Sequence, residues 1–178
     1  LRQVVGVHVE QKGSLNNADY LRFDFSHFSK LTPEEIQKIE DSVNAKILEN
    51  VPVFIQEMPK EEALKLGATA LFGEKYGDVV RVVVMDPEYS VELCGGTHVG
   101  NTGEIGLLKI ITESAVAAGV RRIEAVAGEK AIEYFRNKET QLSSIADILK
   151  KPQDIIKSVQ NLVDENALLK KQIEVFQQ

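Results

Sequence analysis

Val91-Glu92-Leu93-Cys94-Gly95-Gly96-Thr97-His98 follows closely on a nearly unbroken apolar run, Val79 to Met85. Interrupted only by Arg81, that run has the length and β-branched content of a buried central strand, and Asp86-Pro87 ends it. The octapeptide is therefore expected on a loop just off a core strand, a rigid mounting for a site. It holds the only cysteine of the chain and one of its three histidines. Cys94 and His98 stand four positions apart with two glycines between them. A thiolate and an imidazole brought together by such a turn are half of a zinc site, since structural zinc takes four protein ligands. The other histidines, His8 and His27, lie in apolar-alternating stretches with no second ligand at helical spacing. Spacing alone leaves a second reading open, in which Cys94 is a small buried hydrophobe and His98 a satisfied polar residue.

Upstream of this stretch, residues 1–6 read as the last turn of a helix stopped at Gly6. Val7 to Gln11 and Tyr20 to Phe28 read as two strands. In the second, Leu21, Phe23 and Phe25 alternate with Arg22, Asp24 and Ser26, the period of a half-buried strand. Gly13 to Asp19 is rich in turn formers and predicts the hairpin between them. Thr32-Pro33-Glu34-Glu35 opens a helix: Thr32 caps it, Pro33 suits its first position, and Thr32 with Glu35 matches a capping box. Ile36, Ile39, Val43 and Ile47 form its apolar stripe, and Glu49-Asn50 ends it. Val51 to Glu57 reads as a short strand, with Pro52 marking an edge or a strand start. Lys60 to Leu66 reads as a short helix and Gly73 to Asp78 as a turn.

Downstream, Gly100 to Gly106 is glycine-rich and irregular. Leu107 to Ser114 and Val120 to Ala127 read as strands joined through Ala117-Ala118-Gly119. Arg121 and Arg122 open the second of these, either as a solvated pair or as contacts to RNA phosphate, for which arginine is well suited. From Gly128 the composition turns helical, with apolar residues at Ile132, Phe135, Leu142, Ile145 and Leu149, until Lys151-Pro152 breaks the run. In the next helix Val159, Asn166 and Ile173 fall at heptad position a, and Ile155, Leu162, Leu169 and Phe176 at d. An asparagine at a weakens a coiled coil but sets its register and partner number. The seam predicts either an antiparallel helical hairpin with residues 129–149 or a short coiled coil, a homodimer through residues 155–176.

At 178 residues, 43% apolar and 27% charged, the chain has room for one ordinary domain and an appendage. A net charge of −6 argues against nucleic-acid binding by bulk electrostatics, though not against a local basic patch. There is no apolar run long enough to span a bilayer, no signal peptide, and no cysteine pair for a disulfide, so a cytoplasmic setting is expected. No phosphate-binding Gly-x-x-x-x-Gly-Lys motif is present. A start at Leu1 and an end inside a helical pattern read as those of a fragment.

Leu93-Cys94-Gly95-Gly96-Thr97-His98 resembles the second metal motif in the editing domain of the alanyl-tRNA synthetases. The related threonyl domain differs after the cysteine and before the histidine. The likeness continues through Gln11 to Leu15, Leu21 to His27, Phe72 to Asp78 and Ala118 to Ala125, in the family's order. It implies an α+β fold of the synthetases' second additional domain, a mixed or antiparallel sheet with flanking helices. The domain would occupy residues 1–128, and residues 129–178 would be a helical linker or coiled-coil region.

By the same resemblance Cys94 and His98 are two ligands of Zn2+, and a His-x-x-x-His pair on a helix just upstream of Leu1 supplies the others. That pair is absent from this chain. Gln11 borders the amino-acid pocket by resemblance, and Thr97 could orient a substrate group or simply cap the turn. The implied reaction is hydrolysis of serine or glycine wrongly attached to tRNA(Ala), with the tRNA acceptor end as partner. The aminoacylation domain, with its ATP and Mg2+, would lie upstream. A pocket that accepts alanine cannot exclude smaller glycine, or serine with its one added hydroxyl, by more than about 10 to 200-fold, so a second, hydrolytic site is needed. Half a metal site predicts an inactive or weakened fragment. A free-standing deacylase of the same superfamily and a non-catalytic tRNA-binding or dimerisation module are the other readings.

Overall fold

A computed structural model describes residues 1–70 and 76–176. The chain divides into two compact units, Leu1–Ile132 and Glu133–Gln178. The first is α+β, with two antiparallel sheets and flanking helices, as the sequence leads one to expect.

The larger sheet has the order β1-β2-β7-β6, from β1 (Gln11–Asn16), β2 (Leu21–Ser26), β6 (Leu108–Ala117) and β7 (Val120–Ala127). Phe25, Ile110, Ile123 and Ala125 are buried in its core with Val9, Leu31 and Ile39. Helix α1 (Arg2–Val5) contributes Val4 and Val5 beside them and ends at Gly6. Helix α2 (Pro33–Leu48) contributes Ile36 and Ile39. Its predicted capping box is present: Thr32 Oγ1 accepts from the Glu35 amide at 3.2 Å, and Glu35 Oε2 accepts from the Thr32 amide at 2.8 Å.

The smaller sheet has the order β3-β4-β5, from β3 (Phe54–Pro59), β4 (Val79–Val84) and β5 (Val91–Leu93). The apolar run does form the central strand. Val80 and Val82 pack with Leu93, Ala63 and Ala68 in a second core cluster, the alanines lying on and just after α3 (Lys60–Lys65).

Several boundaries differ from expectation. Strand β1 runs into the predicted hairpin turn as far as Asn16, and Val7 to Glu10 is not a strand. The turn is later because Asn17 Oδ1 accepts from the amides of Asp19 and Tyr20, each at 2.9 Å, an Asx-type closure. Residues 8–10 are tied to β2 by Ser26 instead: its hydroxyl donates to the His8 carbonyl and accepts from the Glu10 amide. Strand β3 also starts later than expected, Pro52 making only an isolated bridge to Asn101. The irregular glycine-rich stretch holds a turn of 3-10 helix, Thr102–Ile105. Of the motif block at residues 72–78, only Tyr76, Gly77 and Asp78 lie within the described residues, and half of the turn expected at residues 73–78 falls outside them.

Helix α4 (Glu129–Ile148) begins in the first unit, where Ala131 is fully buried, and the predicted boundary at residue 128 falls at its start. Helix α5 (Ile155–Phe176) begins after Asp154, whose carboxylate accepts from the Lys157 amide. It buries none of its residues, and Val159, Leu162, Leu169 and Ile173 of the heptad seam are exposed.

Candidate functional site

The octapeptide enters as strand and leaves as loop. Val91 to Leu93 pair with β4. Leu93 is buried, and its amide donates to the Thr69 carbonyl at 3.0 Å. The Cys94 amide still donates to the Arg81 carbonyl at 3.1 Å, so the loop departs from β4 only after the cysteine. Arg81, which in the sequence is only a break in an apolar run, holds the loop at that point. Its Nη1 donates to the Cys94 carbonyl at 2.7 Å and to the Gly96 carbonyl at 2.6 Å.

Cys94 and His98 both line a cleft of about 740 Å³, and Gln11 lines it from β1. These residues are distant in sequence and are brought together by the fold. Further wall comes from Arg2, from Glu92 and from the Ile39, Ser42 and Val43 side of α2. Gln11 Nε2 donates to Ser14 Oγ at 3.0 Å, which orients its amide. Thr97 is exposed and is not part of the cleft wall.

His98 Nε2 is buried without a hydrogen-bond partner among the described residues. Burial, and then the nearby positive charge of Arg81, hold its pKa below the usual imidazole value and favour the neutral ring. That is the form in which an imidazole can take a metal. Glu92 behaves oppositely for a related reason. Burial raises its carboxyl pKa, with the charge of Arg2 and a hydrogen bond from Ser90 working against the rise. Neither Arg81 nor Glu92 was picked out from the sequence. The signal for Arg81 was available: a charge within a core strand must find partners.

Arg121 and Arg122 both lie on β7, and each is held in an ion pair. Arg121 makes a bidentate pair with Glu113, at 2.6 and 2.7 Å, and Arg122 makes one with Asp24, at 2.7 and 2.8 Å. The solvated-pair reading is thereby corrected for Arg121, whose side chain is 13% exposed. His8 and His27 are also joined, Nε2 to Nδ1 at 2.8 Å, with Ser29 Oγ on the far nitrogen of His27. Among the described residues no group of three or more His, Cys, Asp or Glu side chains is placed to hold a metal ion.

Comparison with known proteins accords with this architecture. Residues 80–124, which hold β4, the Cys94–His98 turn and most of the β6–β7 hairpin, match the family described as the threonyl and alanyl tRNA synthetase second additional domain. The chain thus carries the domain shared by those two classes of synthetase. Over nearly its whole length it is also similar to alanine–tRNA ligases. It is 56% identical to that of Acetivibrio thermocellus over 175 residues, 98% of this chain and 20% of the relative. It is 53% identical to that of Cytophaga hutchinsonii over 178 residues, 99% of this chain and again 20% of the relative. The chain belongs to the alanyl-tRNA synthetase family and spans about 20% of the length of these relatives.

Proposed function

We propose that this chain is the editing region of an alanyl-tRNA synthetase, an ester hydrolase that removes serine or glycine wrongly attached to tRNA(Ala). Its parent would charge tRNA(Ala) with alanine, using ATP and Mg2+ in a separate upstream domain. The observation that carries the reading is the convergence of Gln11, Cys94 and His98 on one cleft. A volume of about 740 Å³ suits an aminoacyl group with its terminal nucleoside. The esterified acceptor end of the tRNA is the partner such a cleft requires.

The donors fit zinc in kind. Cys94 offers a thiolate, and His98 offers a neutral imidazole with a buried nitrogen that has no other partner among the described residues. They do not complete it in number, since the described residues bring no third donor to them. We infer that Cys94 and His98 are half of a divided site whose other ligands lie on the segment preceding Leu1 in the longer protein. Bound zinc supplies positive charge that polarises an ester carbonyl or acidifies a water. The chain's own residues do the rest. Gln11 presents its amide to the amino-acid side of the cleft, and Arg2 and Glu92 set the charge at its wall.

Zinc per chain, measured on this chain beside one extended upstream, tests the assignment, together with release of serine from Ser-tRNA(Ala) by each. We expect close to one zinc and rapid release in the longer chain, and neither here. Full zinc in the short chain overturns the divided site, with His8 and His27 then the first ligands to examine. Zinc without serine release in the longer chain refutes editing and favours a non-catalytic tRNA-binding module.

The exposed seam of α5 supports a second proposal, a homodimer through residues 155–176. In a parallel pair Glu165 at g would face Lys170 at e of the other copy. A monomer at micromolar concentration in sedimentation equilibrium refutes it.

A further inference from the structure

The turn that carries Cys94 and His98 contains two adjacent glycines, and such a backbone does not hold one geometry unaided. Metal ligands and pocket groups need positions fixed to within about 0.5 Å. Something outside the turn must therefore supply the constraint. The core strand β4 supplies it through one side chain.

We propose that Arg81 is a positioning residue for the candidate site, holding the Cys94–Gly96 turn so that Cys94 and His98 both face the cleft. Three observations carry this. Arg81 Nη1 reaches two carbonyls two residues apart, those of Cys94 and Gly96, at 2.7 and 2.6 Å. The Arg81 carbonyl takes the Cys94 amide at 3.1 Å, so residue 81 grips the start of the turn from both main chain and side chain. And Arg81 is flanked on its own strand by Val80 and Val82, both buried, which fix where its side chain begins.

A guanidinium suits this work. It stays charged, donates in several directions, and makes hydrogen bonds to carbonyls that are stronger than neutral ones. The two carbonyls it binds are main-chain groups of the turn itself. Losing Arg81 therefore frees the turn without removing either candidate ligand.

The inference rests on the proposed function only for the use made of Cys94 and His98. The constraint itself can be read in the chain without metal or tRNA. Cys94 is the only cysteine, so its rate of alkylation by iodoacetamide reports on this turn alone. The test compares Arg81→Met, Arg81→Lys and the unaltered chain, with the alkylation rate followed against urea and the His98 ring signals followed by NMR.

In Arg81→Met we expect alkylation about tenfold faster, with little dependence on low urea, as for a local opening, and displaced His98 ring signals. Arg81→Lys, which keeps the charge and can satisfy one carbonyl, should recover about half of that change on a logarithmic scale. A folded Arg81→Met that alkylates within about twofold of the unaltered chain overturns the proposal. So does an increase that tracks the steep urea dependence of global unfolding, because it makes Arg81 merely structural. If Arg81→Met does not fold, the lysine variant decides by the same two criteria. Failure of zinc binding or of ester hydrolysis in the longer protein would refute the functional reading and leave this result standing.

Discussion

Replacing Glu40 by alanine should loosen the wall of the cleft from behind. Strand β6 is the outer strand of its sheet, so the backbone groups on its free edge need partners. Helix α2 supplies them with side chains one turn apart. Asn44 donates to the Leu108 carbonyl at 3.0 Å and accepts from the Leu108 amide at 2.9 Å. Glu40 accepts from the Ile110 amide at 2.6 Å and from Lys109 Nζ at 2.8 Å. Glu40 is 8% exposed and Ile110 7%, so no water stands ready to replace the carboxylate. A buried amide left without an acceptor costs about 1–3 kcal/mol. The pair with the more exposed Lys109 adds less than about 1 kcal/mol. Glu40→Ala should therefore cost about 2–3 kcal/mol, and Glu40→Gln, which keeps an oxygen toward the amide, about 1 kcal/mol. Urea unfolding measures both, and amide exchange at Ile110 should accelerate only in the alanine variant. Equal costs for alanine and glutamine, or unchanged exchange at Ile110, would refute the reasoning. The consequence reaches the site because Ile39, Ser42 and Val43 of the same helix line the cleft.

Acid should act through Asp24. A hydrogen bond from Arg122, before any other cause, holds its carboxyl below the usual value near 3.8, so its stabilisation is complete above that value and is lost as pH falls through the lower folded one. Asp24→Asn should accordingly be less stable at neutral pH yet lose less stability below about pH 4, which stability measured against pH would show. Gly106→Ala should cost about 1–2 kcal/mol by urea unfolding, since Gly106 has φ +73° and an added Cβ would lie 3.2 Å from Gly128 Cα. Thr32→Ala removes the acceptor at the start of α2 and should cost about 1 kcal/mol in the same assay, with Thr32→Ser close to neutral.

What the sequence made legible is what neighbours in the chain determine. The start of α2 is an example: Thr32 and Glu35 satisfy each other's amides across three residues, so the pattern and the geometry are the same fact. The run from Val79 is another, since an apolar strand that must be covered on both faces goes to the middle of its sheet. Strand β1 was misplaced because an exposed edge strand has no buried face to impose alternation, so its turn-like residues misled and Asn17 set the real turn.

The site was legible by a different route. Spacing offered Cys94 and His98 as half of something, and only resemblance placed Gln11 near them. No local pattern tells which strands will face one cleft. Asp24 shows the same limit: it was expected outward on β2 and is indeed on that face, yet it is buried because the register sets it opposite Arg122. Registers between β2 and β7 join residues 98 positions apart, beyond any periodicity. Arg81 marks where physical reasoning could have gone further. A charge in the middle of a core strand is too costly to bury unless something accepts its hydrogen bonds. Carboxylates are the partners one searches for first, and a search for them leads away from the answer. Here the acceptors are two carbonyls of the very turn that the strand precedes. An unexplained cation in an apolar run, with a glycine turn and candidate ligands close downstream, is therefore a signal to look for backbone held by side chain.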